Sequence, residues 1–332
     1  MRIALETMQE QFTRVLLNYR FTPKRAARCA AIFAENSLVG VLSHGVNRFP
    51  GFIDFIRKGY VDPTAEPELV AALGAWEQWD GKMGPGPLNA DVASQRAMTL
   101  AREQGIGCVG LRNTNHWMRG GYFGWQAAEA GQAMIAWTNT KPNVPPWGAV
   151  DVRVGNNPLV LAVPKNEGPV VLDMAMSQFS FGRMEGAARS GQALSLVGGF
   201  DSNGELTTDP AAIIAANRAL PIGYWKGSGL ALLLDMIAAL VAGGQATHQI
   251  GQQVTEYAVS QVFIAFDLAK SGSGALVKQA ADEIIADLHG ATPVADGTIL
   301  YPGERALQTR EENLAHGIPV EPEIWEQVLA LA

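Results

Sequence analysis

Five short runs in this chain, "IGCVGLRN", "AMIAWTNT", "NPLVLAVP", "PVVLDMAM" and "SQVFIAFDL", are apolar almost throughout instead of alternating apolar with polar. A strand covered on one face alternates, whereas a strand covered on both does not, so such runs suit a sheet held between two other layers. Helical patterns lie among them: "YFGWQAAEAG", "GSGLALLLDMIAALVAGG", read as a buried helix, "GALVKQAADEIIADLHG" and a closing "EIWEQVLALA". Strands interspersed with helices predict an α/β fold with a three-layer core.

The first sixty residues read as helical. Residues 5–19 form an amphipathic pattern, and Thr22-Pro23 supplies an N-cap and first-turn proline for a second helix ending near Gly40. Ser43 would cap a third helix from about Gly45 to Lys58, closed by Gly59. An apolar segment follows around Leu69 to Trp79, then a glycine-proline loop "GKMGPGP" and a helix near Leu88 to Gln104; "GGFDSNGEL" marks a looser, turn-rich stretch farther on.

Several classes are disfavoured. Charged residues make up 17% and hydrophobic ones 48%, a composition that buries a core and argues against disorder. The net charge of −7, with signs interspersed, offers no footprint for a polyphosphate backbone, so no nucleic-acid partner is expected. Glu6 and Glu10 interrupt what a secretory signal would keep apolar. The apolar tract Gly229 to Gly244 carries Asp235 at its centre and falls short of the ~20 residues of a membrane helix, so no membrane partner is expected. Cys29 and Cys108 lack CxxC spacing and suit free thiols in a reducing, cytoplasmic compartment. HxxH and HExxH spacings are absent, so no metal is expected, and no G-x-S-x-G marks a nucleophilic serine.

"GIGCVG" matches the G-x-G-x-x-G dinucleotide fingerprint at Gly105, Gly107 and Gly110, but in the wrong context. That fingerprint needs a strand before and a helix N-terminus after, facing the pyrophosphate. Here a helix precedes and a strand runs through, which reads as a helix cap followed by a core strand.

Two other strings carry chemistry. In "SHGVNRF", His44 and Arg48 fall four apart, on one face of the expected helix. A histidine donates a proton near neutral pH and an arginine holds a carboxylate through two parallel hydrogen bonds, a pair suited to a 2-oxo acid. On this stretch alone a capping Ser43 and a solvated Arg48 are an equal reading. In "NTNHWMRGG", His116 follows Asn113 and Asn115 just after a strand, where α/β enzymes place ligands. His248, His289 and His316 fit helix ends or loops. Trp225 and Lys226 in "GYWKGSG", and Gly303, Glu304 and Arg305 in "LYPGERA", stand at helix openings, where free N–H groups suit phosphate.

In order, "SHGVNRF", "RNTNHWMRGGYFGWQAAEAG", "WTNT", "PPWGA", "GNNPLVLAVP", "VVLDMAMSQFSFG", "GYWKGSGLALLLDMIAAL" and "YPGE" resemble the malate/L-lactate dehydrogenase family of NAD(P)-dependent oxidoreductases, which is unrelated to the Rossmann dehydrogenases. The resemblance runs from about residue 5 to 330. It implies a mixed-sheet, non-Rossmann α/β core, a homodimer, and NAD or NADP bound without a glycine fingerprint. It further implies a helical region 1–73 contributing to the substrate site, a cofactor-binding core 74–303, and C-terminal helices 304–332 packed on the N-terminal region. His44 then resembles the proton donor to a 2-oxo acid carbonyl, with Ser43 and Arg48 as substrate contacts and His116 as the rival donor. Cofactor contacts would fall on Pro169, Val170, Val171, Leu172, Asp173, Met174 and Ala175, on Trp225 and Lys226, and on Gly303, Glu304 and Arg305. Malate, lactate, ureidoglycolate and cyclic imino acids stand as alternative substrates, and a silent dinucleotide binder as an alternative function. One departure bears on mechanism. Relatives carry an aspartate near the position of Ala187 or Ala188, so either Glu185 partners the histidine here or no carboxylate does. Lys141, Asn143, Phe123 and Gln178 bear on substrate choice.

Overall fold

A computed structural model describes residues 1–271, 274–295 and 297–332. The chain begins with strand β1 (Arg2–Ile3) and helices α1 (Leu5–Asn18), α2 (Pro23–Leu38) and α3 (Phe49–Arg57), followed by strands β2 (Glu68–Leu73) and β3 (Trp76–Asp80). Helix α4 (Gly86–Gln104), β4 (Ile106–Thr114), α5 (Gly121–Glu129), β5 (Gln132–Thr138), β6 (Leu159–Val163) and β7 (Val170–Met174) come next. Then follow α6 (Phe181–Arg189), the short strands β8 (Gly199–Phe200) and β9 (Leu206–Thr207), α7 (Pro210–Ala216), α8 (Trp225–Ala242), the single turn α9 (Thr247–Ile250) and β10 (Val259–Asp267). The remaining elements are α10 (Gly274–His289), α11 (Glu304–His316), β11 (Ile318–Pro319) and α12 (Pro322–Leu329).

One seven-stranded sheet runs in the order β2-β3-β4-β10-β5-β6-β7. The β3–β4 pair is parallel and its other pairs are antiparallel, so the sheet is mixed. Central β10 is "VSQVFIAFD", rich in β-branched and aromatic residues and buried along most of its length, because helices cover both faces. Helices α4 and α5 pack on one face and α8 on the other, which gives the three layers. One apolar core joins α1, α2 and α3 to α4, α5 and the near face of the sheet; a second lies beneath α6, α7 and α8. Strand β2, from the N-terminal segment, is hydrogen-bonded into the sheet at its edge.

The glycines of "GIGCVG" serve packing. Gly105 follows α4 at φ +90°, a left-handed turn that ends the helix without a Cβ clash. At Gly107 a Cβ would stand 2.2 Å from the Ala97 carbonyl oxygen of α4, and at Gly110 2.6 Å from that of Val241 in α8.

Three local expectations are corrected. The third helix does not start near Gly45: Leu42–His44 form a 3-10 turn, and α3 begins at Phe49 with Arg48 as its N-cap. Gly45 is pressed so closely on α2 that a Cβ would meet Ser37 Oγ at 2.1 Å, and its ψ of −122° breaks the helical path. The looser stretch around "GGFDSNGEL" carries two helices, α6 before that segment and α7 after it, capped by the Ser180 and Asp209 side chains. And α8 is buried along one side only: Ala231, Leu234, Asp235, Ala238 and Ala242 face the sheet, while Leu233, Met236, Ile237 and Leu240 face outward. Asp235 has a structural reason to be there, since its Oδ1 accepts from Asn139 Nδ2 at 2.9 Å and from the Thr247 backbone N–H at 2.8 Å.

The ends of the chain meet. β1 pairs with β11, and α12 packs against α1 and α3 through buried Trp325 and Val328. Phe49 stacks on Phe12 with centroids 4.1 Å apart and meets Phe33 edge-on at 5.2 Å, which fixes the start of α3 and with it Arg48. Burying one such ring contributes roughly 1.5–3 kcal/mol.

Candidate active site

His44 reaches the site from the 3-10 turn after α2, whose Asn36 Nδ2 donates to the His44 carbonyl at 3.1 Å. His116 comes from the far side, on the loop between β4 and α5. The two rings lie with centroids 5.6 Å apart and planes 30° from parallel. Arg48 and His116 line one cavity with Gly51, Phe52, Asp54, Phe55, Val61, Asn115 and Met118. Ser43 Oγ stands 3.0 Å from His44 Nδ1. The four residues the sequence singled out for substrate and catalysis therefore converge.

The loop bearing His116 is heavily constrained. Asn113 and Met118 on either side have φ of +49° and +68°, and for an unbranched but bulky methionine this is an uncommon, costly conformation. Asn115 Nδ2 lies within hydrogen-bond distance of the Tyr60, Met83 and Gly84 carbonyls, at 3.1, 3.0 and 3.1 Å. Gly86, opening α4, abuts the loop so tightly that a Cβ would stand 2.2 Å from the His116 carbonyl oxygen. The glycine-proline loop is thus the seat of this histidine.

The two imidazoles differ electrically. The Met118 backbone N–H donates to His116 Nδ1 at 2.9 Å, so Nδ1 is an acceptor and the ring proton resides on Nε2. Burial holds the His116 pKa well below the usual imidazole value, and the neighbouring charges of Arg48 and His44 push the same way. Burial also lowers the pKa of His44, but the Asp173 carboxylate opposes it; Arg48 and Arg119 add to the lowering. His116 is a neutral Nε2–H donor, while His44 has an anion that favours its protonated form.

Asp173 was expected among the cofactor contacts, and from β7 its carboxylate also acts on His44. Its Oδ2 accepts the Gly121 backbone N–H at 2.7 Å, at the start of α5. Glu185, the sequence's candidate partner for the histidine, is exposed on α6 and does not figure among the charges acting on His44. Arg119, three residues past His116, is buried beside Asp173; burial lowers its pKa against the pull of Asp173 and Glu35. Sequence reasoning passed over Arg119, although it belongs to the same "NHWMRGG" string.

The expected cofactor segments line up along β7, the far edge of the sheet. The Val171 N–H donates to the Pro302 carbonyl at 2.8 Å, which docks Gly303 at one end of the strand. Gly303 has φ +99°, and a Cβ there would stand 3.1 Å from Val171 N, so bare backbone forms this ledge. Beyond the other end, Ser177 pairs with Pro221, and the chain turns into Trp225 and Lys226 at the start of α8. Trp225 is 65% exposed, and Arg305 is also exposed. Glu304 is otherwise engaged: its Oε2 accepts the Tyr301 N–H at 3.0 Å and lies 3.1 Å from His289 Nε2. An edge strand, a side-chain-free ledge docked against it and exposed cationic and aromatic groups at its ends fit an extended dinucleotide. Among the described residues no group of three His, Cys, Asp or Glu could hold a metal ion.

Residues 3–329 match the family described as malate/L-lactate dehydrogenase. A 2,3-diketo-L-gulonate reductase from Salmonella paratyphi C is 43% identical over 334 residues, covering 100% of both chains. Among solved structures, a malate dehydrogenase from Entamoeba histolytica superposes with a TM-score of 0.94 at 22% identity, covering 100% of this chain and 97% of that one. A sulfolactate dehydrogenase from Methanocaldococcus jannaschii gives 0.92 at 26% identity, covering 100% and 96%.

Proposed function

The chain belongs to the malate/L-lactate dehydrogenase family and is an oxidoreductase of oxo and hydroxy acids that works with a nicotinamide cofactor; from that premise we propose that it is a 2,3-diketo-L-gulonate reductase with His44 as proton donor. The observation that carries the reading is the stacking of His44 on His116 with Arg48 in the adjoining cavity.

Arg48 holds the substrate carboxylate through paired hydrogen bonds, which fixes the face and distance of the neighbouring carbonyl. His116 donates its Nε2–H to the carbonyl oxygen and, being neutral, steadies developing negative charge without surrendering the proton. His44 transfers its own proton to the alkoxide oxygen that develops as hydride reaches the carbon. The arriving carboxylate offsets the charge of Arg48, one of the influences that lower the His44 pKa, so substrate binding itself favours the protonated donor. Strand β7, Gly303, Arg305, Trp225 and Lys226 would hold the dinucleotide, which when bound supplies the hydride to the carbonyl carbon. Either NADH or NADPH serves in this reading.

Steady-state assays with both cofactors on 2,3-diketo-L-gulonate, oxaloacetate, pyruvate and a cyclic imino acid test the proposal. The expected result is the highest kcat/KM on 2,3-diketo-L-gulonate. Quenching of the eight tryptophans by NADH without turnover of any acid would instead identify a silent binder.

The outward stripe of α8, Leu233, Met236, Ile237 and Leu240, recurs at helical spacing and supports a homodimer packed through this face. By length and composition α8 also resembles a membrane span, with a third of it buried. Light scattering separates the readings: a Leu240→Glu variant of the expected dimer runs as a monomer. Free Cys29 and Cys108 accord with a cytoplasmic location.

A further inference from the structure

Glu256 sits on the loop that leads into β10, and its Oε2 accepts the backbone N–H of Lys141 at 2.9 Å. The next residue, Tyr257, stacks on Tyr60 with centroids 5.4 Å apart and planes 19° from parallel. Tyr60 in turn meets Phe55 at 5.6 Å, and Phe55 lines the cavity with Arg48 and His116. A row of aromatic rings thus fastens the Glu256 loop to the wall of the substrate cavity. Burial raises the pKa of this carboxyl, and the charges that act on it are those of Lys141 and Arg48. Arg48 thus acts on both His116 and Glu256, and the row of rings holds the Glu256 loop at the wall of the cavity that Arg48 and His116 line.

A carboxylate in that position has two effects on a 2-oxo acid whose first carboxylate is held by Arg48. It accepts hydrogen bonds from hydroxyl groups on the rest of the molecule, and it repels a second carboxylate there. We propose that Glu256 is the residue that makes this site select a polyhydroxylated 2-oxo acid over a dicarboxylate such as oxaloacetate. The assignment rests on the oxo-acid reductase reading above and names the part of the site that sets its substrate class.

The test compares the wild-type protein with Glu256→Gln, which is isosteric and still offers an oxygen to the Lys141 N–H, and with Glu256→Ala. The ratio of kcat/KM for 2,3-diketo-L-gulonate to that for oxaloacetate is expected to fall about tenfold or more in both variants, with the thermal midpoint of Glu256→Gln unchanged. A second arm needs no turnover: calorimetric binding of L-threonate and L-malate to the same proteins. Wild type is expected to prefer the trihydroxy acid, and the variants to lose that preference. Turnover with an unaltered ratio, or binding without a preference in wild type, overturns the role of Glu256. A binding preference that vanishes in the variants, in a protein that turns over neither acid, upholds Glu256 and counts against the reductase reading alone.

Discussion

The proposed substrate side and the proposed cofactor side of the site are built from different materials. On the substrate side, side chains do the work, and each is held by others: Asn115 by carbonyls from the neighbouring loops, His116 by the Met118 N–H, and Arg48 by the buried Phe49 next to it. The cofactor side is mostly backbone, an edge strand and a glycine at φ +99°, with exposed side chains at its ends. Reaction chemistry needs particular functional groups at fixed distances, whereas a long ligand can be held by shape and N–H groups that any sequence supplies. Asp173 belongs to both sides, receiving the Gly121 N–H at the start of α5 and acting on His44.

That division predicts separable losses. His44→Ala should lower turnover by about 10²-fold or more, the scale of general acid catalysis, with dinucleotide affinity unchanged by fluorescence titration; full activity would pass the donor role to His116. Gly303→Val should do the reverse. Left-handed strain of about 1–3 kcal/mol at that position should weaken dinucleotide binding roughly tenfold while the bound enzyme turns over near its normal rate, and an unaltered dissociation constant would move the cofactor off this ledge. Asp173→Asn tests the link between the two sides. Without the one charge that raises His44, the imidazole loses its proton at lower pH, so the fall of reductase kcat/KM with rising pH should begin earlier. A pH profile that does not move would leave Asp173 as a helix cap only. The smallest effect concerns stability. Both imidazoles have lowered pKa values in the folded protein, so below about pH 6.5 the unfolded chain takes up protons first and the thermal midpoint should decline on acidification.

What could be read from the sequence follows the same line. The apolar runs announced the sheet because strands covered on both faces have no polar positions to spare, and "GIGCVG" was recognisable as packing from the order of helix and strand. His44, Arg48 and His116 were visible because polar clusters in apolar surroundings need a reason. The start of α3 was misplaced because the break at Gly45 comes from its contact with Ser37, a tertiary event. The charges of Asp173 and Arg119 reach His44 through strand register and loop closure across long stretches of chain, which no local pattern encodes. The outward face of α8 was hidden in plain composition, since a helix apolar on nearly every side does not announce which side it leaves uncovered.

Helix α12 lies far from His44 and His116 along the chain, yet it buttresses α3, whose N-cap is Arg48. Wear at the tail is therefore felt at the carboxylate grip. If Arg48 grips the substrate as proposed, a chain cut before Trp325 is expected to show a higher KM for the oxo acid, because the packing that seats α3 is gone.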